Sequence, residues 1–274
     1  MKIGVIGIGR WGSIVLNKYK NLEKAGSIDK VYSCDIRGGF DTDNIEDLLG
    51  MVDGVHICVP TIHHYDIAKY FLTNKINCLV EKPITDDIQK AKELIKISEK
   101  NNLILQAGYV LRFDNVTNKA KEMIGFNEIG NINSIEITWT DYRPDVIGNI
   151  ILELMPHPID AIYDITGKLP KEYVILNYDR LVSIQMEYLE FPVTAKLSWM
   201  TKRKNHLITI DGERGVFDFE YVGQKINGKH IPQNDAITDE ALNFIESMKS
   251  GMSINNTCEN ALENLKVIKR MTQF

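Results

Sequence analysis

Cysteine is scarce in this chain: there are four among 274 residues, and no CxxC pair occurs. No cysteine and histidine cluster stands at the spacing typical of metal ligands. Cys34, Cys58 and Cys78 lie inside short apolar runs, where a reduced thiol behaves as a small hydrophobic side chain. We therefore expect no disulfide, no metal site, and a reducing compartment, the cytoplasm.

Long apolar runs and an excess of one charge are also missing. No stretch approaches the roughly 18 apolar residues of a membrane-spanning helix, and Arg10 interrupts the apolar start with no small-residue cleavage site after it. The 32 basic and 37 acidic residues give a net charge of -5 and form no long run of either sign. These features argue against a nucleic-acid or membrane partner and favour a small molecule.

The length predicts two domains, and the first is expected over residues 1–115. Short apolar runs alternate there with amphipathic helical patterns, which is typical of βαβ units with a parallel sheet. We expect a doubly wound Rossmann domain. Its predicted strands are 2–7, 30–35, 54–59, 77–81 and 103–107, and its predicted helices are 11–24, 63–73 and 86–100.

The pattern changes beyond a predicted helix at 115–125. Apolar residues then alternate with polar ones, as at Ile135, Ile137 and Trp139, which indicates strands with one buried face. Turn residues near 190–192 and 211–213 favour hairpins, and two helices are predicted near 236–249 and 257–272. The second domain, 116–274, is therefore expected to be α+β with a largely antiparallel, open sheet.

A glycine motif opens the first predicted helix. Gly7, Gly9 and Gly12 follow an apolar strand in the order GxGxxG. The first glycine allows a tight turn, the second lets the backbone approach a pyrophosphate, and the third lets the helix pack closely on the strand. The helix N-terminus would bind the phosphates, and Arg10 and Trp11 in the same loop are expected to contact the dinucleotide.

The residue that ends the second strand bears on the choice of dinucleotide. Asp35 stands where an acceptor for the adenosine ribose hydroxyls is expected, which favours NAD. Arg37 leaves NADP open, because a guanidinium at that place pairs well with a 2'-phosphate if Asp35 swings aside.

Several further motifs resemble those of the glucose-fructose oxidoreductase, inositol dehydrogenase and MocA family. They are Pro60-Thr61 followed by His64, then Glu81-Lys82-Pro83, then the run from Gly108 to Asp114 that includes Arg112, and finally His157-x-x-Asp160. Together with the glycine loop they cover roughly residues 1–170. The resemblance implies that Pro60, Thr61, His64, Glu81 and Lys82 contact the cofactor.

The resemblance also implies a reaction centre. Lys82 would lie near the nicotinamide and the substrate hydroxyl, where an ammonium stabilises a developing alkoxide. His157 would take the hydroxyl proton, with Glu153 orienting it from one helical turn away. Glu153 stands where the family has Asp, and Pro156 and Pro158 flank the histidine, so we expect the helix to be kinked or restarted there.

Candidates for binding the substrate are Arg112, Tyr142, Arg143 and Asp160, in addition to Lys82 and His157. The run from Arg143 to His157 resembles the branch that acts on nucleotide sugars, notably UDP-N-acetylglucosamine 3-dehydrogenases. The expected function is hydride transfer between a secondary alcohol of a sugar or nucleotide sugar and NAD or NADP. An inositol or sugar acid as substrate, and a sensor that binds the dinucleotide without turnover, stay open. A homodimer or homotetramer is expected.

Overall fold

Short apolar runs become parallel strands in this chain, because a strand covered by helices on both faces has no polar side to present. The computed structural model describes residues 1–143, 145, 148–178, 180–253, 255 and 257–272. Three positions of the run between Arg143 and His157, namely 144, 146 and 147, lie outside these residues.

Thirteen strands and eight α-helices are present in the described residues. In chain order the strands are β1 (Lys2–Ile6), β2 (Lys30–Cys34), β3 (Gly54–Ile57), β4 (Asn77–Glu81), β5 (Leu105–Gly108), β6 (Ile132–Tyr142), β7 (Glu172–Tyr178), β8 (Leu181–Glu187), β9 (Pro192–Ser198), β10 (Met200–Gly212), β11 (Gly215–Glu220), β12 (Lys225–Ile226) and β13 (Lys229–His230). The helices are α1 (Arg10–Lys24), α2 (His64–Thr73), α3 (Ile88–Asn101), α4 (Asn115–Gly125), α5 (Ile150–Leu154), α6 (Pro156–Thr166), α7 (Ala236–Ser250) and α8 (Cys258–Met271).

The chain divides into two compact units. The first unit contains Met1–Val110 and Ile237–Leu265, and the second contains Leu111–Ala236 and the residues from Lys266 on. Sequence patterns placed residues 237–265 with the second domain. In the structure Phe244 and Ile245 of α7, together with Leu265 of α8, lie in the apolar core of the first unit.

The first unit contains a five-stranded sheet in the order β2-β1-β3-β4-β5. All four strand pairs are parallel, so the carboxyl ends of the five strands share one edge. The chain reverses its direction of travel across the sheet between β1 and β3, which is the place where open α/β sheets bind ligands. The predicted doubly wound parallel sheet is confirmed.

The second unit contains an eight-stranded sheet in the order β13-β12-β11-β10-β6-β9-β8-β7. Only β6 and β9 pair in parallel, so the predicted largely antiparallel sheet is confirmed. Ile135, Ile137 and Trp139 point into the core as their alternation predicts. Val174 and Leu176 of β7 are 61% and 51% exposed, so the sheet is apolar on one face and partly apolar on the other.

The helix that carries Glu153 and His157 ends and begins again between them. Asn149 caps α5, its side-chain oxygen accepting from the backbone N–H groups of Ile151 and Leu152 at 2.9 and 3.3 Å. Helix α6 then starts at Pro156, where proline is tolerated because the first N–H groups of a helix have no partner within it. The predicted interruption is confirmed, and the two side chains stand on different helices.

The turn from β1 to α1 brings the start of the helix close to the end of the strand. Gly7 has a φ of +86°, and a Cβ on Gly12 would lie 1.9 Å from the carbonyl oxygen of Gly7. A Cβ on Gly9, by contrast, would meet nothing within 4 Å, and its backbone is extended. Gly12 is therefore required by the fold, whereas Gly9 keeps open space in front of the loop.

A buried ion pair joins two elements of the second unit. The Arg112 guanidinium donates to both carboxylate oxygens of Asp160, from Nε at 2.8 Å and from Nη2 at 2.6 Å, and both side chains are at most 2% exposed. Asp164 lies 4.0 Å from the same guanidinium and also binds the half-exposed Lys121. The pair fastens the segment before α4 to α6.

The helices are too short or too polar to cross a bilayer, as far as the described residues show.

We expect Gly12→Ala to lower the free energy of unfolding by about 3 kcal/mol or more, because the new methyl group has no room beside Gly7. Gly9→Ala is the matched control and should stay within about 0.5 kcal/mol of the parent protein. Urea unfolding followed by circular dichroism measures both. Equal losses in the two variants would contradict the close approach described for Gly12.

Arg112→Met should lower the free energy of unfolding by about 3–5 kcal/mol, because it leaves the Asp160 carboxylate buried without its cation. Lys121→Met removes an exposed partner of Asp164 and should cost about 1 kcal/mol or less. The double variant Arg112→Met/Asp160→Leu should recover part of the loss. A loss no greater than that of Lys121→Met would show that the pair contributes little.

Candidate functional site

A cavity of about 840 Å³ lies at the carboxyl edge of the parallel sheet, where β1, β2 and β3 end. Its volume is within the range of small-molecule sites. The residues that line it are Ile6, Gly7, Gly9, Arg10, Trp11, Cys34, Asp35, Ile36, Arg37, Asp43, Asn44, Ile45, Cys58, Val59, Pro60, His63 and Ile67. They all belong to the first unit.

The glycine loop forms one wall of this cavity. Gly9 caps α1 without a side chain, and the first turn of the helix carries no acidic residue. Its N–H groups and the positive end of the helix dipole therefore face the loop without competition from a carboxylate, and Arg10 is exposed beside them. An anionic group such as a pyrophosphate fits this place.

Asp35 is fixed from two sides. Its Oδ2 accepts from the backbone N–H of Ile8 at 2.6 Å and from Arg37 Nη2 at 2.9 Å, and its Oδ1 accepts from Arg37 Nε at 2.8 Å. The Arg37 guanidinium, with the backbone N–H groups of Arg37 and Ile8, holds the pKa of the Asp35 carboxyl well below its usual range. Arg37 also donates to the carbonyl of Ile8 at 2.7 Å, so both side chains are held against the glycine loop.

Apolar side chains provide the rest of the cavity wall. Ile36 is 89% exposed between the two charged residues, and Ile45, Val59 and Ile67 also line the cavity. A flat apolar ring such as adenine can lie against such a surface. Sequence reasoning did not single out these residues, although an isoleucine in a polar turn after a strand was a usable signal.

His64 ties two segments of the sheet edge together. It is buried, and its ring nitrogens lie 2.9 Å from the carbonyl oxygen of Pro83 and 2.8 Å from that of Val59. Burial lowers the pKa of the imidazole, although the two carbonyls oppose that shift. The structure thus places this predicted cofactor ligand beneath the edge, where it links the segment after β3 to the one after β4.

Glu81 is the last residue of β4 and is likewise held within the protein. Its carboxylate accepts a hydrogen bond from the indole N–H of Trp11 and lies 3.3 Å from Nε2 of His56. Lys82 follows directly at the same sheet edge and is half-buried, and its peptide bond to Pro83 is cis. Potential ligand atoms of His56, Cys58 and Glu81 lie within 4.8 Å of one another.

The cavity therefore brings together only part of the predicted cofactor set. Gly7, Gly9, Arg10, Trp11, Asp35, Arg37 and Pro60 line it. The other predicted residues, Gly12, Thr61, His64, Glu81 and Lys82, are not among its lining residues. Asp43, Asn44 and His63, which do line it, carried no sequence motif that would have identified them.

The predicted residues of the second unit fall into two groups. Arg112 and Asp160 bind each other, so the arginine fork faces the aspartate and not solvent. Tyr142 is 50% exposed at the end of β6, and Arg143 lies next to it with its Nη2 3.2 Å from Asp141. His157 is half-buried in the first turn of α6, and Glu153 is exposed on α5.

Comparison with known proteins gives relatives of moderate similarity. The UDP-N-acetylglucosamine 3-dehydrogenase of Acidithiobacillus ferrooxidans is 27% identical over 182 residues, which cover 62% of this chain and 56% of that protein. The myo-inositol 2-dehydrogenase of Thermotoga maritima is 27% identical over 195 residues, 63% of this chain and 57% of that protein. The chain thus spans little more than half the length of these curated relatives.

The fold is shared over nearly the whole chain with solved structures. The scyllo-inositol dehydrogenase of Lactobacillus casei, solved with bound NAD(H) and scyllo-inositol, superposes with a TM-score of 0.78 at 19% identity. The superposition covers 98% of this chain and 95% of that one. Residues 1–109 match the family described as "Oxidoreductase family, NAD-binding Rossmann fold". This match covers the first 109 of the 274 residues, so the first unit resembles the NAD-binding domain of that family.

Proposed function

We propose that this protein is an NAD(P)-dependent oxidoreductase that transfers a hydride between a secondary alcohol of a sugar or nucleotide sugar and the nicotinamide. The observation that carries the proposal is the cavity at the carboxyl edge of the parallel sheet, which combines an open glycine loop with a fixed carboxylate. Lys82 stands at the same edge, one strand further along. A dinucleotide supplies the hydride acceptor or donor when bound.

NAD is the preferred cofactor in this proposal. The Asp35 carboxylate is kept ionised and oriented by Ile8 and Arg37, so it is a ready acceptor for ribose hydroxyls and a repulsive neighbour for a 2'-phosphate. Arg37 is engaged with that carboxylate and with a backbone carbonyl. NADP is the alternative if the ion pair between Asp35 and Arg37 opens and frees the guanidinium for the 2'-phosphate.

Lys82 is proposed to stabilise charge on the reacting oxygen. An ammonium donates to a hydroxyl and becomes more strongly bound as that hydroxyl turns into an alkoxide, so it favours the transition state over the ground state. The position of Lys82 after β4 supports this role, because ligands of open α/β sheets lie beyond the strand ends.

His157 is proposed as the group that accepts the hydroxyl proton. Its imidazole is half-buried in the first turn of α6, and an imidazole titrates near neutral pH. Glu153 is proposed to assist it electrostatically, from a separate helix and not along one continuous face. Tyr142 and Arg143 are proposed to contact the substrate, since a phenol suits a sugar hydroxyl and a guanidinium suits a phosphate.

Arg112 and Asp160 enter the proposal as a pair. Their charges are paired with each other in the core, so we propose that they hold α6, and with it His157, in position. Their effect on the substrate would then be indirect, through the placement of His157. The names of the relatives support sugars, nucleotide sugars and inositols as substrates to be tried first.

We also propose that the protein is a cytoplasmic homodimer or homotetramer without nucleic-acid or membrane partners. The exposed Val174, Leu176 and Val216 of the second unit provide apolar area that a second copy would cover.

Lys82→Ala should lower kcat by about 10²–10³, the usual effect of losing one donor to a developing oxyanion. Lys92→Ala, which removes an exposed lysine of α3, is the control and should leave turnover unchanged. The measurement is the absorbance of NADH or NADPH with a panel of sugars, inositols and UDP-sugars. The proposal is lost if the parent protein turns over none of them and Lys82→Ala leaves cofactor and ligand binding unaltered.

Asp35→Ser should reduce the preference for NAD over NADP by about tenfold or more, because it removes a charged acceptor of the ribose and frees Arg37 for a phosphate. Asp43→Ser, which changes another carboxylate of the same cavity, should alter the preference little. Calorimetric titration with each dinucleotide gives the two dissociation constants. Tighter binding of NADP than of NAD by the parent protein would overturn the cofactor preference.

A further inference from the structure

His56 belongs to none of the sequence motifs, yet it lies in a buried polar cluster with Glu81 and Trp11 beside the cavity. It is 1% exposed in the middle of β3, and its Nε2 is 3.3 Å from Oε1 of Glu81. The ring of Tyr19 from α1 packs edge-on against it at 5.9 Å between centroids. A buried imidazole is retained at a cost in solvation unless its polar atoms are used.

The contact with Glu81 selects one tautomer of the imidazole. Nδ1 of His56 has no hydrogen-bond partner within the described part of the chain, so it is suited to be the unprotonated nitrogen. Nε2 then carries the proton and donates to the carboxylate. The alternative tautomer would set a lone pair against a carboxylate oxygen and leave that oxygen with one donor fewer.

The Glu81 carboxylate is confined from three elements. The indole N–H of Trp11, at the start of α1, donates to the same oxygen that His56 approaches. Gly108 of β5 lies so close that a Cβ there would be 3.1 Å from the carboxylate carbon and from Oε2. The carboxylate therefore has little freedom to rotate, and its hydrogen bond orients the indole of Trp11.

Trp11 belongs to this cluster and also lines the cavity, as does Cys58. It is half-buried and stands between Gly9 and Gly12, so its orientation determines the shape of the loop wall. A wrong orientation of the indole would narrow or widen the space that Gly9 leaves open.

We propose that His56 is a positioning residue of the dinucleotide site: it orients the Glu81 carboxylate, which in turn holds Trp11 against the wall of the cavity. This inference rests on the proposed dinucleotide binding, and it also gives Glu81 a task distinct from direct contact with the cofactor. His56 itself is not among the residues that line the cavity.

The test compares His56→Leu with His56→Gln. Leucine fills a similar volume but offers no donor, whereas the amide of glutamine reaches the place of Nε2 and can donate to Glu81. The protein is labelled with fluorotryptophan, and Trp11→Phe assigns the Trp11 resonance. Trp139 and Trp199, the other two tryptophans, are buried in the second unit and serve as internal references.

We expect the Trp11 resonance to shift in His56→Leu while the two references stay, and NAD to bind about tenfold more weakly, as the loss of one hydrogen bond to a charged group implies. His56→Gln should restore both. A merely structural histidine would instead lower the unfolding temperature without moving Trp11 selectively. If His56→Leu does not fold, His56→Asn takes its place, because the shorter amide falls short of Glu81.

Two results would overturn the inference. One is an unchanged Trp11 resonance and unchanged NAD affinity in the variant without a donor. The other is a stoichiometric metal ion in the purified protein that is lost in Cys58→Ser, since His56, Cys58 and Glu81 would then be metal ligands. Failure of the parent protein to bind NAD defeats the proposed function instead, and the fluorine spectra still test the link from His56 to Trp11.

Discussion

The contact of α1 with the end of β1 is the constraint on which the cavity depends. Because Gly12 has no side chain, the helix starts close enough to Gly7 for three things to happen in one short segment. The N-terminus of the helix points at the crevice, the N–H of Ile8 reaches Asp35, and the indole of Trp11 reaches Glu81. A helix displaced by the width of one methyl group would disturb all three, since hydrogen bonds weaken steeply with distance and angle.

Electrostatics then decides what this geometry accepts. Asp35 presents a carboxylate whose charge is stabilised by Arg37, while the start of α1, which follows closely on the Ile8 that Asp35 binds, presents uncompensated N–H groups. The cavity therefore offers an acceptor for hydroxyl groups beside a site for phosphates, and a dinucleotide carries both kinds of group. Burial sharpens the contrast, because Asp35 is only 7% exposed and is less screened by solvent than a surface carboxylate.

Much of this could be predicted from sequence because it is local. The five strands of the first unit follow from apolar runs, and Gly7, Gly9 and Gly12 follow from the turn that they must make. The pairing of Arg112 with Asp160 could not be foreseen, because the two residues are 48 positions apart and a buried arginine looks like an exposed one in sequence. His56 was missed for the same reason, since its partner lies on another strand. Amphipathic patterns predicted α7 and α8 but do not say which core they cover.

The place of α7 and α8 in the first unit affects the order in which the protein can fold during synthesis. Residues 237–265 leave the ribosome after residues 111–236 of the second unit, yet Phe244, Ile245 and Leu265 belong to the core of the first. The first 110 residues can form their sheet early, but they must wait with an apolar surface uncovered while the following 126 residues (111–236) are synthesised. The nascent chain exposes this apolar surface to aggregation and to chaperones in that interval, and its first unit is completed only when residues 237–265 have been made.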